Sequence, residues 1–191
     1  MKDIAGAIAS ALRRRARGGR LRVGVFYRGR LAALDAVLSD GHETIVAGDS
    51  FRALFKAASR TGGAGRRSRV LVEARYGALP FRPGSLDALV LTDGLPRTAD
   101  LTGALAALRP FLAPGGVLVF PHPVTDGRRG PLSRLLRAPF LGTLAPLSRS
   151  ALCENAMAAG YCEIGQEVPK GRGLVPWIVT VGASGRRGGD A

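Results

Sequence analysis

Chemistry needs side chains that transfer protons, attack electrophiles or hold metals, and this sequence has few of them. It contains two histidines, two cysteines and 14 acidic residues, against 28 Lys+Arg. His122 is the histidine best placed for work as a general base. It directly follows a predicted strand over 117–120, and an unperturbed imidazole titrates near neutrality. The competing reading of His122 is a solvated polar residue on a loop. His42 starts another predicted strand at the opposite end of the sheet and is expected to be uninvolved. Two scattered histidines without an acidic cluster give no ligand set, so no metal site is expected. Cys153 and Cys162 exclude a disulfide framework and read as buried structural thiols.

The elements that must position these residues alternate. Residues 3–17 form an amphipathic helix, with Ile4, Ile8 and Leu12 spaced by four and Arg13, Arg14, Arg15 and Arg17 crowding its end. Those cations suit the negative end of the helix dipole, and equally an anion or a membrane surface. Leu21 to Tyr27 reads as a strand backed by a helix from Arg30 to Leu38. Glu43 to Gly48 is a second strand, after which Ser50 can cap a helix from Phe51 to Ser59. Arg69 to Glu73, Leu86 to Leu91 and Val117 to Phe120 are three more strands, with a helix predicted from Asp100 to Leu112. Short apolar strands alternating with helices predict a parallel sheet. The rhythm breaks over 121–150, a stretch with five prolines and scattered leucines and arginines that reads as a lid or insert. One short helix is expected around Ser133 to Arg137. Ser150 is then expected to cap a helix to Ala159, before an antiparallel hairpin over Tyr161–Val168 and Val175–Gly182. The reading is therefore an N-terminal basic helix (1–20), an α/β domain (21–183) containing the 121–150 insert, and a disordered tail (184–191).

Together these pieces resemble the class I S-adenosylmethionine-dependent methyltransferases of the small single-domain kind. Ala78-Leu79-Pro80-Phe81-Arg82-Pro83-Gly84-Ser85-Leu86-Asp87-Ala88-Leu89-Val90 is similar to the family's loop and fourth strand. Leu108-Arg109-Pro110-Phe111-Leu112-Ala113-Pro114-Gly115-Gly116-Val117 is similar to its turn and fifth strand, and Gly160-Tyr161 with the hairpin to its closing elements. The resemblance covers roughly 20–183 and implies a doubly wound, mostly parallel seven-stranded sheet with a C-terminal antiparallel hairpin. It also implies S-adenosylmethionine as cofactor.

At the cofactor site the sequence departs from the family pattern of an acid followed by G-x-G-x-G. Aligning Gly29 on the last glycine puts Val23 at the acid, Val25 at the first glycine and Tyr27 at the second. Valine resists unusual backbone angles, and a tyrosine side chain is expected to obstruct methionine and ribose. Asp49 matches the carboxylate that takes the ribose hydroxyls, although a helix-start residue interacting with nearby amides reads the same way. Arg75 falls near the position of the adenine-side acid. A guanidinium there cannot accept the adenine amino proton, so Arg75 reads as obstructive too. Asp93 is the carboxylate that the resemblance places nearest the methyl group and substrate, whereas Asp87, at the start of its strand, reads as structural.

Two functions follow. One is a methyltransferase-like protein with a lost or weakened cofactor site, acting as a binding or scaffold protein. The other is an active S-adenosylmethionine-dependent methyltransferase on an acidic substrate or RNA. The formal charge of +14 points to a protein, an anionic membrane surface or nucleic acid as partner, reached through 121–150 and the N-terminal helix. An Arg-rich composition from a GC-rich genome produces the same charge. Only 6% of residues are aromatic, which weakens the case for base-stacking platforms. No apolar run is long enough to span a bilayer and no signal peptide is read, so a cytoplasmic location is expected.

Overall fold

β-Branched and leucine-rich runs too short for helices pair here as strands, and helices pack against both faces of the sheet they form. The computed structural model describes residues 2–29, 31–61, 69–95, 98–124, 147–169 and 177–185. In chain order the elements are α1 (Lys2–Ala16), β1 (Arg22–Tyr27), α2 (Leu31–Ser39), β2 (Glu43–Gly48), α3 (Phe51–Thr61), β3 (Arg69–Glu73) and β4 (Leu86–Leu91). They continue with α4 (Leu101–Ala106), a 3₁₀ turn (Arg109–Phe111), β5 (Leu112–Pro123), α5 (Arg149–Ala158), β6 (Tyr161–Glu167) and β7 (Trp177–Ser184). The seven strands lie in the order β3-β2-β1-β4-β5-β7-β6. The first five are parallel, and β7 inserts antiparallel between β5 and β6. This is the doubly wound, mostly parallel sheet with an antiparallel C-terminal pair that the sequence predicts.

Because strand side chains alternate, the sheet makes two cores. Val23, Val25 and Tyr27 face one, with Val46, Val90 and Val119 and the apolar sides of α1, α2 and α3. Phe26, Leu89, Leu91, Leu118 and Phe120 face the other, with Leu105, Leu152 and Tyr161. Helix α1 belongs to the first core: Ile8 and Leu12 are fully buried.

Four local expectations need correction. The helix expected from Asp100 to Leu112 ends at Ala106, and only a 3₁₀ turn follows. Pro110 is the reason, since inside a helix its ring would meet the carbonyl four residues back and its missing N–H would break the ladder. Strand β5 runs on to Pro123, not Phe120. Its ladder to β4 ends at Val90↔Val119, so beyond that point it must supply donors to β7 alone, and Pro121 and Pro123 are tolerated. The cap of α5 is Ser148, whose hydroxyl accepts from the Ala151 N–H at 3.0 Å, rather than Ser150. Cys162 is exposed and Cys153 only half-buried, because Cys162 lies on the edge strand β6, at a bulge where Glu163 adopts φ 50°. The helix expected around Ser133 to Arg137 lies outside the described residues.

Candidate functional site at the sheet switch point

In an open α/β sheet, ligands gather at the carboxyl ends of the strands where the winding reverses. Here that point lies between β1 and β4, which are neighbours in the sheet and wind away in opposite directions. Two loops leave it, Arg28-Gly29 after β1 and Thr92-Asp93 after β4. Gly29 has φ +145°, a conformation that side-chain-bearing residues rarely adopt, so the turn itself requires this glycine.

The polar side chains at this point bind one another. The Arg28 N–H donates to Asp93 Oδ2 at 2.9 Å, and the Thr92 hydroxyl donates to the same oxygen at 2.7 Å. The Thr92 N–H in turn donates to the Phe26 carbonyl at 3.1 Å, so Asp93 braces the end of β1 against the end of β4. From the other side, Arg28 Nε donates to Asp49 Oδ2 at 2.7 Å, with both side chains about one-third exposed (35% and 33%). Asp49, Arg28 and Asp93 thus form one chain of charge-assisted bonds across β2, β1 and β4. Ser50, next to Asp49, caps α3 by accepting from the Ala53 N–H at 3.2 Å.

Tyr27 is fully buried among the residues of the first core, and its hydroxyl has no hydrogen-bond partner. Burial raises its pKa, and the nearby carboxylates of Asp93 and Asp35 add to the rise. Arg75 is exposed. Its neighbour Tyr76 packs edge-on against Phe26, ring centroids 5.7 Å apart, and donates from its hydroxyl to the Ala104 carbonyl at 3.3 Å, spanning from the β3 end to α4. His122 is not a solvated loop residue: it is a buried strand residue of β5 opposite Ile178. It stands apart from the Asp49–Arg28–Asp93 chain in the strand order, with β4 between β5 and β1. Val124 and Leu147 form a parallel bridge that brings together the two ends of the segment 125–146, which lies outside the described residues.

Arg28 and Tyr76 are the residues that sequence reasoning missed. A signal for Arg28 existed: β1 and β2 run in register to Tyr27↔Gly48, so the next residue on each strand, Arg28 and Asp49, must be neighbours. Nothing in the pattern around Tyr76 announces its reach to α4, because that contact joins residues 28 positions apart.

The opposite end of the sheet is structural. Asp87 accepts from the Arg22 N–H at 2.8 Å and from its guanidinium at 3.2 Å. Burial raises the Asp87 pKa, but the hydrogen bonds and charge of Arg22 outweigh that and hold it below the usual carboxylate value. An open cavity of about 530 Å³ lies beside α1, lined by Arg14, Arg15, Val117, Glu163 and Glu167 among others. Two cations of α1 already have partners: Arg13 meets Asp40 at 3.5 Å and Arg14 meets Glu167 at 3.0 Å. Among the described residues no group of three or more His, Cys, Asp or Glu side chains is gathered as a metal would require. No helix among them is long and apolar enough to cross a membrane.

Comparison with known proteins agrees with this fold. Residues 27–120 match the methyltransferase domain family. None of the curated proteins matches the sequence. Among solved structures, a candidate methyltransferase of Bacillus halodurans superposes with a TM-score of 0.71 at 10% identity, over 94% of this chain and 99% of that one. Phosphoethanolamine N-methyltransferase 2 of Haemonchus contortus, in complex with phosphomonomethylethanolamine and S-adenosylhomocysteine, gives 0.73 at 13% identity, over 95% and 53%. The CurJ carbon methyltransferase gives 0.68 at 18% identity, over 87% and 49%, so this chain spans about half the length of that protein.

Proposed function

We propose that the chain is a member of the class I S-adenosylmethionine-dependent methyltransferase family, as its fold and the match over residues 27–120 support, with a weakened cofactor site, and that it works by binding a partner. The observation that supports this reading most is the Arg28–Asp49 ion pair. In the family the acid at the Asp49 position receives the two ribose hydroxyls; here its Oδ2 already takes a guanidinium donor at 2.7 Å. S-adenosylmethionine fits the residues present poorly for three further reasons. Val23 stands in place of the family acid, so one polar anchor is missing. Val25 and Tyr27 are fully buried in the first core, so the end of β1 is committed to packing rather than to backbone approach by a ligand. Tyr76 joins the end of β3 to α4 beside Arg75.

With no methyl donor to position, the remaining assets are surface charge and the segment between Val124 and Leu147. The proposed partner surface is 121–150 without its first four residues, which are buried at the end of β5; the Val124–Leu147 bridge joins the flanks of the segment between them. By sequence it combines Leu132, Leu135, Leu136 and Phe140 with Arg128, Arg129, Arg134 and Arg137, a mixture suited to an apolar contact ringed by cations.

Calorimetric titration of the purified protein with S-adenosylmethionine and with S-adenosylhomocysteine tests the first half. The expected result is no binding tighter than about 100 μM; micromolar affinity, about −8 kcal/mol, overturns it in favour of an active methyltransferase. Replacing 126–145 with a short Gly-Ser linker tests the second half. The expected variant keeps its circular dichroism and loses partners recovered by the intact chain; a folded variant that keeps them all refutes this surface.

A further inference from the structure

Helix α3 departs from the burial logic of the rest of the molecule. Its inner side is ordinary, with Ala53 and Leu54 buried against the sheet. Its outer side exposes two large aromatic rings, Phe51 at 74% and Phe55 at 67%. They lie one helical turn apart with ring centroids 6.3 Å apart and planes at 29°, so they form a single apolar ridge rather than two scattered residues. On the neighbouring edge strand β3, Leu71 is exposed as well. Exposing such rings is unfavourable in water, and contiguous exposed apolar surface marks an interaction site.

The charge that the sequence gives α3 and its flanks points to the occupant. Helix α3 contains Arg52, Lys56 and Arg60 and no acid, and Glu73 is the one acid of β3. Asp49, just before the helix, is matched by Arg28, while Arg75 beyond β3 is exposed. The chain as a whole has a formal charge of +14, which opposes docking a second copy of itself. Two phenylalanines offer roughly 300–500 Å², well short of the ~800 Å² per side of a stable protein interface. That area does suit an aromatic wedge set into the headgroup region and helped by cations. Nucleic acid is favoured less, because the two rings turn one face toward each other and leave fewer faces for bases, whereas acyl chains contact ring edges and faces alike.

We infer that the outer face of α3 is a docking surface for anionic lipid membranes, with Phe51 and Phe55 as the inserting side chains and the basic residues of α3 as its electrostatic support. This surface is independent of the cofactor reading and of segment 121–150. Flotation of the full chain with phosphatidylcholine vesicles, with and without phosphatidylserine, tests it. Binding is expected only with the anionic lipid, and the Phe51→Ser/Phe55→Ser double variant is expected to weaken it at least about tenfold. Both positions are solvent-exposed, so circular dichroism should match the wild type. In a second measurement, Phe55→Trp should add a blue-shifted emission component on vesicle addition beyond the signal of Trp177. Equal binding to neutral vesicles, unchanged binding by the double variant, or an unshifted tryptophan overturns the inference. So does a double variant that keeps vesicle binding while losing affinity for an RNA oligonucleotide or changing its oligomeric state in light scattering.

Discussion

The junction of β4 and β5 and the carboxyl end of β1 both correspond to family motifs, and they have fared differently. Around β4 and β5, several motif residues answer a demand of the fold. Leu79 and Phe81 are buried, and Phe81 packs edge-on against Phe111 with centroids 6.0 Å apart. The Gly84 N–H donates to the Pro110 carbonyl at 2.8 Å, tying the two motifs together. Gly116 has no room for a Cβ, which would come within 2.9 Å of two backbone carbonyl oxygens, those of Ala113 and Leu86. At the end of β1, by contrast, buried Val23, Val25 and Tyr27 stand where the resemblance implies an acid and two glycines. Gly29, the one glycine that remains, is also the one whose backbone angle needs it. At these positions the residues that the fold needs are present, while three that would serve cofactor contact are replaced and Asp49 is kept, already paired with Arg28; this supports the proposed weakening of the cofactor site.

The comparison breaks or sharpens on stability measurements. Phe81→Ala should have the largest effect, about 3–5 kcal/mol in urea denaturation, while Asp49→Ala should cost no more than about 1 kcal/mol, as expected for a partly exposed ion pair. Equal losses would erase the distinction. Gly116→Ala should cost about 1–3 kcal/mol by overpacking against backbone that cannot move aside. Tyr27→Phe has the opposite sign: removing a buried hydroxyl without a hydrogen-bond partner should stabilise the protein by about 1 kcal/mol. A loss of stability instead would mean that the hydroxyl is satisfied and the end of β1 retains a polar function.

His42 gives a pH-dependent counterpart at the other end of β2. Burial lowers its pKa, against the attraction of Asp40 and with the help of Arg20. The folded state therefore binds fewer protons than the unfolded chain, and stability rises with pH. This contribution is complete above the ordinary histidine value of about 6.5 and is lost as pH falls through the lower folded value. Melting temperature should drop from pH 7 toward pH 5, and His42→Gln should flatten that slope. The smallest effect is the most specific to the site: Arg28→Ala should tighten S-adenosylmethionine binding by no more than about fivefold, the worth of one exposed ion pair. A much larger gain would show that Arg28 alone closes an otherwise intact site.

Much of the architecture was legible from local pattern. Each parallel strand is an apolar run in a known order, and the Ser50 cap and Gly160 stop are short-range signals that the fold realises directly. Local pattern misjudged burial wherever it depends on neighbours distant in sequence. His122 is buried because β7, more than 50 residues later, extends the ladder past Phe120, and Cys162 is exposed because β6 has a neighbour on one side only. The departure from the family pattern was a reading of sequence alone, since aligning on Gly29 puts Val23, Val25 and Tyr27 where the resemblance implies an acid and two glycines. What those residues do instead was decided by tertiary structure. Parallel register brings Arg28 onto Asp49 and the β1–β4 neighbourhood brings the Arg28 amide onto Asp93. Such contacts join residues 21 and 65 positions apart, a distance at which only the folded sheet determines which charges meet.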